Sequence, residues 1–359
     1  MLNRTDTIVF SATGAAFIAA AVLHWSGANP VLQFVAAAVA LSLLAMSVSN
    51  GTEAVGEHLN PGATGLLQAA LGNLPELLVC VFSLRAGLVE VVQAALIGSI
   101  LANSLLVLGL AILIGGAKHG RMHFDSESPR MIASMMLLAV TALVLPTLAF
   151  ELHTPAAAHE EALSAACAIL LLFVFAASLP FALRADPTRS VRHAPKAAVE
   201  EEERADKWPL SLAVTVLVFA SLGAAVVSEW FVSALEPAIE ALHISKVFAG
   251  LVIVAIAGNA VENMAGIRLA AKNRSDYAMS VILNSSLLIA LAVTPALVLL
   301  SFFIGGPVLT LVMPPLLIAA LLLTTLTTAI IVNDGEAIWL EGVALIGLYG
   351  MIAAAFWWG

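Results

Sequence analysis

Charge is what this chain has least of. Only 11% of its 359 residues are Asp, Glu, Lys or Arg, against 61% hydrophobic ones, and the mean hydropathy is +1.02. A soluble domain carries about 25% charged residues, so a fold surrounded by water is excluded and a polytopic membrane protein is indicated. Cysteine is nearly absent. Cys80 and Cys167 lie far apart in apolar runs, which argues against a disulfide framework or a zinc centre and leaves both as small packing residues. No ten-residue alternation of polar and apolar positions occurs, so a β-barrel is not expected. His-Glu-x-x-His and Gly-x-Ser-x-Gly are also missing, which leaves a membrane enzyme as the weakest reading. The net charge of −9, with the basic residues confined to short loops, gives no support for nucleic acid as a partner. The bilayer and inorganic cations are the expected partners; no cofactor is expected, and nothing in the composition sets an oligomeric state.

Long apolar runs are what is present. A membrane helix needs roughly 20 apolar residues at 1.5 Å each. Eleven such runs are read, at 7–24, 30–49, 63–84, 88–115, 130–150, 161–183, 209–234, 246–271, 277–304, 308–332 and 338–357. Turn signals such as Asn60-Pro61-Gly62 and Asn333-Asp334-Gly335 separate them. The first run, preceded by Arg4, imitates a signal peptide, but the charge pattern favours keeping it as a helix. With a cytoplasmic amino terminus, thirteen of the fifteen basic residues fall in inner loops and only Arg85 and Lys246 in outer ones. That is the bias expected of an inserted chain, and it places the carboxyl terminus outside.

The expected fold is therefore an all-α integral membrane protein of about eleven transmembrane helices. Residues 1–27 form an N-terminal transmembrane helix, 28–183 a first five-helix repeat, 184–208 an acidic cytoplasmic linker and 209–359 a second five-helix repeat. Five is odd, so the second repeat enters the membrane inverted, as in many secondary transporters. The linker carries Glu200-Glu201-Glu202-Glu203. A like-charge run of this kind reads first as a solvated surface, with a funnel that concentrates cations as the functional alternative.

One polar stretch occurs twice. An offset of 186 residues brings Gly72, Asn73, Glu76 and Ser99 onto Gly258, Asn259, Glu262 and Ser285. Glu76 and Glu262 alone among the acids lie well inside predicted spans, where an ionised carboxylate costs on the order of 2.5–3.5 kcal/mol. Asn73 and Asn259 each precede a glutamate by three residues and share its helix face. Pro75 lacks an N–H, and Gly72 and Gly258 loosen the backbone, so helix breaks with freed carbonyls are expected there. Ser99 and Asn103 add oxygens from the fourth span, and Asn284, Ser285 and Ser286 from the ninth, though polar side chains also serve as ordinary glue between membrane helices. Gly51, Thr52, Glu53 and Glu57, between the second and third spans, are read as a solvated loop, with an acidic mouth on the cytoplasmic side as the alternative.

Carboxylates, amides, hydroxyls and carbonyls make a hard-oxygen site, suited to Ca²⁺ rather than a soft metal. Two carboxylates neutralise one divalent ion, and without it desolvation and mutual repulsion favour protons in its place. Competition of this kind is the minimum machinery of antiport.

At these residues the chain resembles the calcium/proton exchangers of the calcium/cation antiporter superfamily. The similarity runs from about Thr52 to Gly342. It is carried by Gly72-Asn73-Leu74-Pro75-Glu76, by the helix from Val91 through Gln93, Gly98 and Ser99 to Asn103, by Gly258-Asn259-Ala260-Val261-Glu262, and by Asn333-Asp334-Gly335 with Trp339-Leu340-Glu341-Gly342. The resemblance implies an unpaired first helix followed by two inverted five-helix repeats. It also implies that Glu76 and Glu262 carry cation and proton in turn, supported by Asn73, Asn259, Ser99, Asn103, Ser285 and Ser286. The chain departs from the family pattern at Asn263, Asn284 and Leu288, beside the second glutamate and its partners, which bears on ion selectivity. The leading expectation is export of cytosolic Ca²⁺ across the cell membrane in exchange for protons. A sodium/proton or broader monovalent exchanger is the alternative, and a passive cation channel is less favoured because no filter-like repeat is present.

Overall fold

Apolar runs of this length satisfy their backbone in a bilayer only as helices or as a closed barrel, and helices are what they form. A computed structural model describes residues 4–59, 64, 67–68, 71–184 and 208–358, with their side chains except those of 4–6, 180–184 and 260–263. Most of the acidic linker, with Glu200–Glu203, lies outside the described residues, as does much of the stretch just before Gly72.

The first half contributes α1 (Arg4–Trp25), α2 (Pro30–Gly56), α3 (Leu74–Arg85), α4 (Val89–Leu101), α5 (Leu108–His119), α6 (Glu127–Glu151) and α7 (Glu160–Arg184). The second contributes α8 (Leu210–Leu242), α9 (Lys246–Phe248), α10 (Ala255–Gly258), α11 (Ala260–Ala271), α12 (Ser275–Leu288), α13 (Thr294–Ser301), α14 (Pro315–Ile331) and α15 (Trp339–Ala355). Among the described residues, seven helical stretches are long and apolar enough to cross a membrane, and three shorter apolar ones accompany them. The protein is an all-α integral membrane protein; two short strands, β1 (Met122–His123) and β2 (Glu336–Ala337), pair antiparallel at one end of the bundle.

Helical boundaries differ from the sequence reading in several places, two of which are instructive. Gly51, Thr52 and Glu53 are not loop but the last turns of α2, with Thr52 fully buried and Glu53 exposed. Hydropathy alone cannot distinguish a polar helix end from a loop. Likewise 308–332 is not helical throughout. Residues 308–314 are non-helical, and the helix begins only at Pro315. This strap has Leu309, Leu311 and Met313 buried. Such backbone is tolerated at membrane depth only where protein satisfies its polar groups, and here side chains do so. The Leu309 N–H donates to Ser301 (3.0 Å), that of Leu311 to Ser164 (2.9 Å) and that of Met313 to Thr147 (3.0 Å). The Thr147 hydroxyl in turn donates to the Leu311 carbonyl (2.9 Å), and the Gln93 amide donates to the carbonyls of Thr310 and Val312 (3.0 and 2.9 Å).

The most buried helix runs from Val89 to His119 through a π-helical segment, Ala102–Val107. Its counterpart α12–α13 carries another, Ile289–Val293. Offset by 186, the two π segments fall almost on each other. A third, Ala249–Val254, crosses α4 at very short range. A Cβ on Gly98 would run into the Leu251 carbonyl, and one on Gly250 into that of Val91. In lipid, where helices are not driven together by water, such close backbone approach supplies much of the attraction. A second layer joins α1, α2 and α8, with Phe34 stacked on Phe231 (4.7 Å between ring centroids) and Phe17 tilted against Trp230 (5.4 Å). Cys80 and Cys167 are free buried thiols, each set in the apolar core.

Candidate cation-binding site

Both halves break a helix at the repeated asparagine. Asn73 has φ −96° and ψ 14°, and Asn259 has φ −106° and ψ 12°. These values lie in the bridge region between helix and strand. The break thus falls one residue after Gly72 and Gly258. Pro75 sits in the first turn of α3, where a missing N–H costs nothing. Gly258 closes α10 at an ordinary negative φ, and a Cβ there would stand 3.4 Å from the Glu76 Cβ, a normal contact. Steric necessity therefore does not explain Gly258, but its position does matter: it lies directly across from Glu76 of the other half.

New helices start at Leu74 and Ala260, so Glu76 and Glu262 both fall in a first turn. The positive end of a helix dipole favours negative charge there. The side chain of Glu262 is outside the described residues. That of Glu76 is 1% exposed, and its Oε1 accepts the Ser99 hydroxyl at 2.5 Å. Ser99 also accepts the Asn259 amide at 2.8 Å, and that amide donates as well to the Ala255 carbonyl at 3.0 Å. A continuous line of hydrogen bonds thus runs from the second motif through Ser99 to the carboxylate of the first. With its nitrogen committed, the oxygen is the atom Asn259 can offer a cation.

The same seam continues along α4 and α12. The Asn103 amide donates to Ser285 (2.9 Å), and the Ser104 and Ser286 hydroxyls pair at 3.1 Å. The six supporting side chains of the expected set, Asn73, Ser99, Asn103, Asn259, Ser285 and Ser286, are each 5% exposed or less. Asn284 stands apart among the described residues: its amide donates to Ser280 on its own helix (3.1 Å). The carbonyl of Ala257, beside the second break, is taken by the Ser42 hydroxyl of α2 (3.2 Å).

Several positioning residues were missed from sequence. Gly250 has no motif around it, and Ser42, Ser104 and Thr328 read as ordinary polar residues in apolar helices. Gln93 lay in a noted motif, but its role depends on a strap that hydropathy had assigned to a helix.

The model of the sodium/calcium exchanger protein family matches the chain twice, over residues 29–184 and 212–358. The Ca(2+)/H(+) antiporter of Synechocystis sp. is 35% identical over 351 residues, covering 93% of this chain and 92% of that protein. The Ca(2+)/H(+) antiporter ChaA of Bacillus subtilis is 33% identical over 356 residues, covering 99% of each. Among solved structures, native YfkE superposes with a TM-score of 0.82 at 29% identity, covering 97% of this chain and 99% of that one. These similarities bear out the resemblance carried by the motifs. With both halves matched and full-length relatives above 30% identity, the chain belongs to the sodium/calcium exchanger protein family.

Proposed function

We propose that this protein is a secondary active transporter that expels Ca²⁺ from the cytoplasm across the cell membrane in exchange for protons. The observation that carries the reading is the buried Glu76 carboxylate, tied through Ser99 to Asn259 of the other half. A carboxylate fully enclosed by protein is stable when a cation or a proton neutralises it. The relatives named Ca(2+)/H(+) antiporters support those two as the exchanged species. In this reading Glu76 and Glu262 hold Ca²⁺ as transported substrate, with oxygens of Asn73, Asn259, Ser99, Asn103, Ser285 and Ser286 available around it. Ca²⁺ takes six to eight oxygen ligands, which two carboxylates alone do not supply.

The halves 28–183 and 209–359 are inverted five-helix repeats after an N-terminal helix, in eleven crossings, with the amino terminus cytoplasmic and the carboxyl terminus outside. Thirteen of the fifteen basic residues then face the cytoplasm, which supports this orientation. Alternating access requires that the loaded site, and not the empty charged one, change sides.

Everted vesicles with an imposed pH gradient test the proposal. Added Ca²⁺ should collapse the gradient while Na⁺ alone leaves it standing. Collapse by Na⁺ and not by Ca²⁺ selects a monovalent exchanger, and cation flux without proton flux selects a channel.

A further inference from the structure

At the second helix break, two hydrogen bonds cross between the halves, and neither has its equivalent at the first. The Asn259 amide donates to Ser99, and the Ser42 hydroxyl of α2 donates to the Ala257 carbonyl (3.2 Å), two residues before the break. Ser42 shares its one hydrogen with the Ala38 carbonyl of its own helix (2.9 Å). The 186-residue offset carries Ser42 onto Ser228 of α8, Ala38 onto Ala224 and Ala257 onto Leu71. Ser228 is fully buried, yet among the described residues its hydroxyl has no hydrogen-bond partner. It bonds neither the Leu71 carbonyl nor the Ala224 carbonyl one turn back. The Asn73 amide nitrogen, mate of the Asn259 one, is buried and unmet in the same way.

The residue order makes Leu71 a ready acceptor. An α-helical carbonyl is bonded by the N–H four residues on, and for Leu71 that residue is Pro75, which has none. Helix α8 already packs beside α3: Val79 of α3 and Val227 and Phe231 of α8 belong to one apolar cluster. A buried hydroxyl without a partner is destabilising. That cost is removed in a conformation that brings the Leu71 carbonyl within reach of Ser228.

We infer that Ser42 and Ser228 are positioning residues that hold the two helix breaks in turn. Ser42 fixes the Ala257 carbonyl in the conformation described here, and Ser228 fixes the Leu71 carbonyl in the opposite one. Each hydroxyl reaches across from the other half, so gripping one break and releasing the other are linked by the movement of the halves. One net hydrogen bond biases a two-state equilibrium by about fivefold. The pair therefore sets how the protein divides between conformations in which the site opens to opposite faces of the membrane.

The inference rests on the alternating-access reading above, with 28–183 and 209–359 as the two repeats. An apparent affinity scales with the fraction of molecules in the competent conformation. The ratio of half-saturating Ca²⁺ concentrations on the two faces therefore follows the conformational equilibrium. Everted and right-side-out vesicles give the two values, by exchange of labelled for unlabelled Ca²⁺. Ser42→Ala removes a bond of the conformation described here, and Ser228→Ala removes one of its opposite. The first should shift the ratio about fivefold and the second about fivefold in the other direction. The double variant should return to within about twofold of wild type. Shifts in the same direction, or no shift in one or both variants, mark ordinary packing serines and overturn the inference. Wild-type vesicles that exchange labelled Na⁺ and not Ca²⁺ overturn the Ca²⁺ reading alone, because the same ratios read with Na⁺ still test the pair. Wild-type vesicles that exchange neither ion overturn both.

Discussion

Asn73 and Asn259 leave their helices at nearly the same backbone angles, yet their amides are placed differently. The Asn259 nitrogen is doubly engaged, on Ser99 and on the Ala255 carbonyl, whereas the Asn73 nitrogen is buried without a partner among the described residues. The repeat offset pairs Ser99 with Ser285, so the symmetric bond would run from Asn73 to Ser285; Ser285 instead accepts from Asn103. Equivalent residues on an equivalent backbone thus take different partners. The two motifs share one backbone geometry and differ in how their amides are engaged.

A second pair of regions shows the same contrast at the ends of the bundle. Residues 122–126 and 308–314 occupy corresponding places in the two halves, and neither is helical. In the first, His123 and Asp125 are exposed while Met122 and Phe124 are buried. This segment pairs with β2, the Phe124 N–H donates to the Gly335 carbonyl (2.9 Å), and that of Asp125 donates to Asp276 (2.7 Å). Arg121 donates to Glu336 at 2.5 Å, and this bond pushes the guanidinium further above its ordinary range. The buried strap uses no charge at all, only Ser301, Ser164, Thr147 and Gln93. Burying unpaired charge is far costlier than burying a bonded hydroxyl, so the same task is done by different chemistry at each depth.

The largest test of the first comparison is Glu76→Gln beside Glu262→Gln. Each should lower exchange at least about 100-fold, on the order of 3 kcal/mol in the barrier, while the protein still inserts and melts normally in detergent. Normal transport by either variant removes that glutamate from the site. The second comparison predicts that Thr147→Val, which leaves the Met313 N–H and the Leu311 carbonyl short of a partner, lowers stability by about 3 kcal/mol, at 1–3 kcal/mol for each buried group. A thermal melt within a degree of wild type would show that the strap does not depend on this hydroxyl. Asn259→Ala should weaken Ca²⁺ binding about tenfold, one lost charge-assisted hydrogen-bond network being worth roughly 1.5 kcal/mol; Asn73→Ala should do so less in the state described here. Equal losses, read by Ca²⁺ titration, would mean that the difference in amide partners has no energetic weight. Smallest is Glu336→Gln at the exposed clasp, where no measurable change in melting is expected because exposed ion pairs are screened by water.

Much of this was legible in the residue order because membrane insertion is a local constraint. Every run of apolar residues must satisfy its own backbone, so the helices, the repeated motifs and the rarity of intramembrane acids appear without knowledge of contacts. Glu76, Ser99 and Asn259 stand out for the same reason, since polar atoms in lipid-deep helices are few. The sequence also carried the family through four motifs in order.

What only the tertiary structure decided was who bonds to whom. Leu309, Leu311 and Met313 read as helix by hydropathy, and become a strap because Ser164, Thr147 and Gln93 approach from distant parts of the chain to replace helical hydrogen bonds. Gly250 gains meaning only when α4 crosses it, and Asn103 rather than Asn73 reaches Ser285 only because of how the halves settle against each other. Hydropathy registers the cost of leaving water, which each residue meets alone; hydrogen-bond partners depend on three-dimensional proximity, which no single stretch of sequence contains.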